Sequence, residues 1–475
     1  MILTDSATGS DSAASGAGPT TALTGTNGVS AADGLSVTLS TDNPDLSGVA
    51  TDGSAVFYFA DATAGNRNFS KITAVDNTLK IVTVANAFGL TLTKSWAIGG
   101  KRANVASTTS IKLLENNAAN GDAMPGWVVE MQSGHSETIA ATITIRRSGD
   151  TTTGLIELRG VAGAATLPLL TFSNNGTAFS TGSATSYWRF KGFEIQNSNA
   201  TKTASTVLNP GSSVQHWILE RIKVSHSTNK FWRVISGLNN YDLLIRDCEF
   251  GYCANSAITD SGRFRLTLEN NWIHDCGAVA LSLTSSVNVT VLKGNIISAN
   301  SGDGVTFTSF PVDTGSSGIL VMTDNTIDAN TGDGVEITSS PTTAAFVATV
   351  ICNNIYSNNG GYGLNLSHAS STAAALGATN FVMEGNCFYN NTSGKYNPSG
   401  LTNSGSEQTG DPTFTNSAGG DYSIGTNLKA KGYPLGGTLK IGTTSSTDSY
   451  VDIGAAQRQE AAASGTIPRH VIIPI

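Results

Sequence analysis

The phrase ANSGDGVTFT at residues 299–308 returns thirty residues later as ANTGDGVEIT at residues 329–338. Thirty residues is too long a period for a helix or a strand. A repeat of this length marks a supersecondary unit stacked on copies of itself. Around the two copies a register emerges in which Asn stands two places before an apolar or aromatic residue: Asn271-Trp-Ile273, Asn295-Ile-Ile297, Asn325-Thr-Ile327, Asn354-Ile-Tyr356 and Asn386-Cys-Phe388. It extends backward through Cys248-Glu-Phe250, Ile222-Lys-Val224 and Phe193-Glu-Ile195, with spacings of 29, 26, 23, 24, 30, 29 and 32 residues. Stacked coils tolerate such variation when loops of different length leave from their corners.

Finer positions repeat too. Five residues after the anchor stand Asn300, Asn330, Asn359 and Asn391, with Cys253 and Cys276 in two earlier copies. Nine residues after it stand Ala257, Ala280, Gly304, Gly334 and Gly363, each followed by an aliphatic residue. Every coil therefore reads strand, Asn-bearing turn, Gly, strand. Parallel stacking brings like residues to about 4.8 Å, so one side-chain amide can donate to its copy in the next coil. Asn also accepts left-handed backbone angles at a bend, and Gly supplies the remaining corners. The expected fold is all-β, a right-handed parallel β-helix.

Composition agrees. Of 475 residues, 39% are hydrophobic and only 13% charged, and the polar remainder is mostly Ser, Thr, Asn and Gly in clusters between short apolar runs. This is an all-β pattern in a chain able to bury a core. The net charge of −8, with 27 Lys and Arg scattered singly, argues against nucleic acid as a partner, because phosphate binding needs clustered cations. No run approaches 18 apolar residues, so no membrane span is expected. The five cysteines, Cys248, Cys253, Cys276, Cys352 and Cys387, form no CxxC pair; they read as small core residues in reduced form.

The coils from 193 to 391 resemble the repeats of the pectate-lyase-like β-helix superfamily. So does the earlier stretch TITIRRSGDTTTGLIELRG at 142–160 followed by YWRFKGFEIQNS at 187–198. DPTFTNSAGGDYSI at 411–424 with VDIGAAQ at 451–457 is similar to segments that close such helices, and DGSAVFYFADATAGNRNFSKITAVD at 52–76 resembles N-terminal segments of phage-encoded β-helix proteins. The resemblance spans about residues 110–457. It is specific for fold and weak for function.

Five regions follow: a Ser/Gly/Ala-rich arm at 1–30, a small β domain at 31–107 read as an attachment module, the β-helix at 108–410, its C-terminal cap at 411–457, and a tail at 458–475 ending in the apolar IPRHVIIPI. The arm has no core of its own and orders only by lying on something else. The apolar tail calls for a partner, a neighbouring copy or a fold back onto its own chain. The opening MILTDSATGSDSAASG shows no basic or apolar leader pattern, which favours assembly in the cytoplasm and release by lysis over export.

Chemistry on this scaffold requires charged groups on neighbouring coils of one face. The best set is Asp247 and Glu249 on one coil with His274 and Asp275 on the next, near Arg246 and Glu269. The acids fall on both sides of the strand alternation, so they do not all converge. His135 and Glu137 read as a solvated turn pair. Asp303 and Asp333 on the repeated turn offer hard oxygen ligands for Ca²⁺, but fewer than calcium wants. No other cofactor is implied. Trp127, Trp188, Trp217, Trp232 and Trp272 could stack on sugar rings, but most lie in apolar strands and read as packing.

Three roles remain open. The favoured one is a non-enzymatic structural or surface-projecting virion component, a homo-oligomer with a trimer favoured, joined to other virion proteins by its N-terminal module and touching a cell-surface glycan. The alternatives are a polysaccharide lyase, hydrolase or tailspike depolymerase, and an extracellular bacterial adhesin.

Overall fold

The computed structural model describes residues 2–6, 23–49, 51, 56–59, 69–85, 87–88, 93–98, 101–103, 128–131, 133–140, 142–145, 148–149, 155–181, 186–199, 205–209, 212–214, 216–226, 230–240, 242–260, 265–283, 289–308, 319–338, 348–366, 381–398, 406–428, 431–432 and 452–455. The apolar tail, Trp127 and most of the arm lie outside them. Among the described residues the structure is all-β, its one helical turn being Ser417–Gly419, and no helix is long and apolar enough to cross a membrane. The chain divides into two compact units, residues 1–199 and 200–475.

In the first unit six antiparallel strands, Leu23–Ser30, Ser36–Thr38, Val56–Phe59, Phe69–Asp76, Ile81–Val84 and Thr93–Ile98, close into a barrel. Alternation puts Val82 and Val84 inside with Val37, Phe57, Ile72, Phe88 and Trp96. The buried Trp96 stacks on Phe57 and donates its indole N–H to Asp42 at 2.7 Å. Residues 23–30, assigned to the arm from composition, are thus a barrel strand. Residues Ile2–Ser6 are also a strand, added in parallel to Val128–Met131.

The same unit contains parallel stacks. Val128–Met131 pairs with Ile156–Gly160, which pairs with the first half of Trp188–Asn197. Ser136–Ile139 pairs with Leu169–Phe172, which pairs with the second half. His135 and Glu137, expected in solvent, are buried here with Nε2 and Oε2 3.4 Å apart. The strand alternation puts Glu137 on the same buried side as Ile139.

The second unit is a parallel β-helix. Its long sheet stacks Trp217–Val224, Asp242–Arg246, Arg265–Glu269, Val289–Lys293, Ile319–Thr323, Ala348–Cys352 and Phe381–Glu384. A short sheet stacks Glu249–Gly251, Trp272–His274, Ile296–Ser298, Thr326–Asp328, Ile355–Ser357 and Cys387–Tyr389. A third runs from Thr206–Asn209 through Val305–Phe307 and Val335–Ile337 to Gly394–Asn397. Trp188 and Trp217 are fully buried packing residues, and all five cysteines are buried free thiols.

Two amide columns run down the coils. Asn271 Nδ2 donates to Asn295 Oδ1, Asn295 to Asn325, Asn325 to Asn354 and Asn354 to Asn386, at 2.8–3.0 Å. Each of these Oδ1 atoms also accepts the backbone N–H of the preceding Asn. The second Nδ2 proton reaches a main-chain carbonyl, as from Asn325 to Leu292 at 2.8 Å. The second column joins Asn300, Asn330, Asn359 and Asn391 in the same way. Amides this buried are stable only because nearly every donor and acceptor is engaged.

The geometry corrects one detail of the turn. The left-handed residue is the one before each Asn: Gly294, Asp324, Asn353 and Gly385 at the first bend, Ala299, Ala329, Asn358 and Asn390 at the second. The Asn side chains themselves turn inward to the columns. Gly304, Gly334 and Gly363 provide room rather than unusual φ: a Cβ on Gly334 would stand 2.5 Å from the Gly363 carbonyl oxygen.

Candidate functional site

Two charged clusters lie on the second unit. The first is built on the short sheet, where Glu249 pairs in register with Trp272, and Gly251 with His274. Residues two apart on a strand share a face. Glu249 and His274 therefore meet on the outer side, with His274 Nε2 3.6 Å from Glu249 Oε1 and Nδ1 2.8 Å from Asp275 Oδ2. Lys223, one coil earlier, stands 3.3 Å from Glu249 Oε2. Tyr252 completes the group, its ring edge-on to His274 at 5.3 Å. Three of the four residues singled out from sequence converge. Asp247 does not, since it is exposed at the other bend, where it accepts from Asn270 at 3.4 Å.

Burial works against the imidazolium, but hydrogen bonds and charge from Asp275 and Glu249 more than offset it, so the His274 pKa is raised. Burial likewise pushes the Glu249 carboxyl up; His274, Ser225 and Lys223 outweigh that and hold it below the ordinary value. The ring is enclosed. Trp272 stacks on it at 3.8 Å, and a Cβ on Gly251 would stand 2.5 Å from its Cε1. Only 3% of His274 and 8% of Glu249 is exposed.

The C-terminal segment approaches from the other side. Residues 406–428 cross the short sheet: Gln408 bridges Cys387, Ile424 and Leu428 pack on Ile355 and Cys387, and Gly420 lies against Trp272. The Ser298 and Asp328 row is buried. Asp328 accepts from Ser357 Oγ at 2.6 Å and Asn358 Nδ2 at 2.9 Å.

The second cluster is Asp303, Asp333 and Glu336, whose carboxylate atoms lie within 4.8 Å of one another. Coil stacking sets Asp333 beside Asp303, and the third sheet pairs Thr306 with Glu336 and Glu336 with Asn365. Oxygen ligands suit a hard cation. The aspartate oxygens also accept hydrogen bonds: Asp303 from Thr306 Oγ1 at 2.8 Å and Asp333 N at 2.7 Å, and Asp333 from Tyr362 N and Asn365 Nδ2. Burial and the two aspartate charges push Glu336 up to about 7. Glu336 was missed in the sequence, although it follows the repeated Gly-Val by one residue.

Residues 207–377 match the family model described as right handed beta helix region. No curated protein matches the chain. Among solved structures it is similar to pectate lyase Pel9A, at 14% identity over 73% of this chain and 94% of that one with a TM-score of 0.43. It is similar also to the A-module of the Azotobacter vinelandii mannuronan C-5 epimerase AlgE4, at 13% identity over 56% and 80% with a TM-score of 0.39. The Acinetobacter phage vB_ApiP_P1 tailspike protein matches at 10% identity over 50% and 53%, with a TM-score of 0.29.

Proposed function

Taking residues 207–377 as a right-handed β-helix region, we propose that the protein is a non-enzymatic, surface-projecting component of a phage virion. The observation that carries this reading is the state of its best chemical cluster. A general base for a polymer substrate needs a free ring nitrogen and an approachable face. His274 is only 3% exposed, with Nδ1 2.8 Å from Asp275 and Trp272 stacked on the ring; Nε2, 3.6 Å from Glu249, is in no hydrogen bond but is buried. The amide columns add stiffness along the stack, as a projecting part requires. The barrel has its own core and serves as the attachment module to neighbouring virion proteins. The phage context rests on the resemblance of residues 52–76. The chain associates as a homotrimer, and a cell-surface glycan is its outer partner.

A second reading, a polysaccharide-cleaving enzyme, is favoured by one observation: Tyr252, His274 and Lys223 stand together on neighbouring coils. Mass spectrometry of purified virions tests the first reading, which expects the protein in the particle at structural stoichiometry. A panel of acidic and neutral polysaccharides tests the second. Cleavage that His274→Ala abolishes would overturn the structural role, and light scattering showing a concentration-independent monomer would remove the trimer.

A further inference from the structure

One carboxyl group stands apart from every role described so far. Asp324 is 1% exposed, at the left-handed bend position that Gly294 fills in the preceding coil and Gly385 two coils on. Neither of its oxygens has a donor in good hydrogen-bonding geometry, and the nearby Thr323 and Asn353 side chains favour its charge only weakly against burial. A carboxylate buried without donors is costly, whereas the neutral acid is tolerated. The residues around this bend are crossed by the closing segment 452–455. Gly454 N donates to Asn353 O at 2.8 Å, and Ala455 N donates to Thr326 Oγ1 at 3.1 Å. Gly454 lies so close that a Cβ would meet Ile355 at 2.5 Å.

We propose that residues 452–455 form an acid-set clasp, seated on the Asp324–Thr326 bend while Asp324 is a neutral acid and lifted when it becomes a carboxylate. Lifting lets water reach the bend and solvate the charge. The groups that bear on Asp324 are Lys293 from the preceding coil, the Thr323 side chain beside it, and Asn353 and Cys352 from the next coil, while Asp452 is carried by the clasp itself. Lys293 eases the charge only in part. Burial still pushes Asp324 from 3.8 up to about 7 when the clasp is seated. With the clasp lifted the group returns toward its ordinary value. Below about pH 4 both states are protonated and seating is complete. As pH rises toward 7 the lifted state ionises first, so seating weakens, and above 7 it levels off. Asp328 on the same coil is also buried, but Ser357 and Asn358 donate to it, so its ionisation does not require release.

Hydrogen exchange of the Gly454 and Ala455 amides in the full-length protein reads the seating directly. After correction for intrinsic exchange, opening should rise on the order of 10- to 100-fold between pH 5 and pH 8. In Asp324→Asn the rise should vanish, and in Asp328→Asn it should persist. Asp324→Gly, which places here the residue found at this bend in the coils of Gly294 and Gly385, should also be flat and guards against an Asn variant that fails to fold. Opening independent of pH in the parent protein, or a rise retained in both Asp324 variants, would overturn the clasp.

Discussion

The coils from Asn295 to Asn391 and those from Ile222 to Cys276 share one backbone path but hold their bends differently. In the later coils both bends carry buried amides joined in columns. In the earlier coils Ile222, Cys248, Cys253 and Cys276 stand in those places, Asn271 being the first amide, and the columns end on Cys248 and Cys276. Asn271 Oδ1 accepts from Cys248 N, and Asn300 Oδ1 from Cys276 N, both at 3.0 Å. The bend can therefore be made without an amide, with a buried Cys or, at residue 222, a buried Ile in its place. What the amides add is linkage from coil to coil. Where they stop, the outer face gathers its ionic cluster of Lys223, Glu249 and His274.

Breaking a column in its middle should have the largest effect. Asn325→Leu leaves Asn295 N and Nδ2 without their acceptor in a buried site, and two orphaned donors cost about 3–5 kcal/mol together. Urea unfolding of the two proteins measures this loss. Extending a column should have a smaller effect of opposite sign. Cys276→Asn places an amide beside Asn300 Oδ1 and should stabilise by about 1 kcal/mol in the same assay. A loss as large as that of Asn325→Leu would mean that the earlier coils exclude amides.

The smallest effect concerns the acidic cluster, which the later coils alone carry. Glu336 is raised from 4.5 to about 7, so the folded protein binds this proton more tightly than the unfolded chain. Its contribution is fully present below about pH 4.5 and is lost as pH rises toward 7. Glu336→Gln should match the parent at pH 4 and exceed it at pH 8, by about 1 kcal/mol after allowance for solvent screening. Thermal unfolding at the two pH values tests this.

The repeat made the coils legible because stacking forces like side chains above one another, so Asn300, Asn330 and Asn359 announce their column by spacing alone. The role of Gly334 was legible only as a corner, since its need for room depends on the Gly363 carbonyl one coil away. The left-handed residues escaped notice because Gly, Asp, Asn and Ala all fill those places. The enclosure of His274 was hidden for a different reason. It depends partly on Gly420 returning to Trp272 across nearly 150 residues, a contact that no local pattern encodes. Glu336 could have been found by carrying the register two residues past Gly334.

The central claim is that the side-chain amides of successive coils act as a coupled column. A double-mutant cycle on Asn295→Ala and Asn325→Ala, measured by urea unfolding, tests it most directly. The account predicts a coupling energy of about 1–3 kcal/mol, with the double variant losing less than the two single losses combined. Strict additivity would show that each Asn serves only its own coil, and would contradict the account.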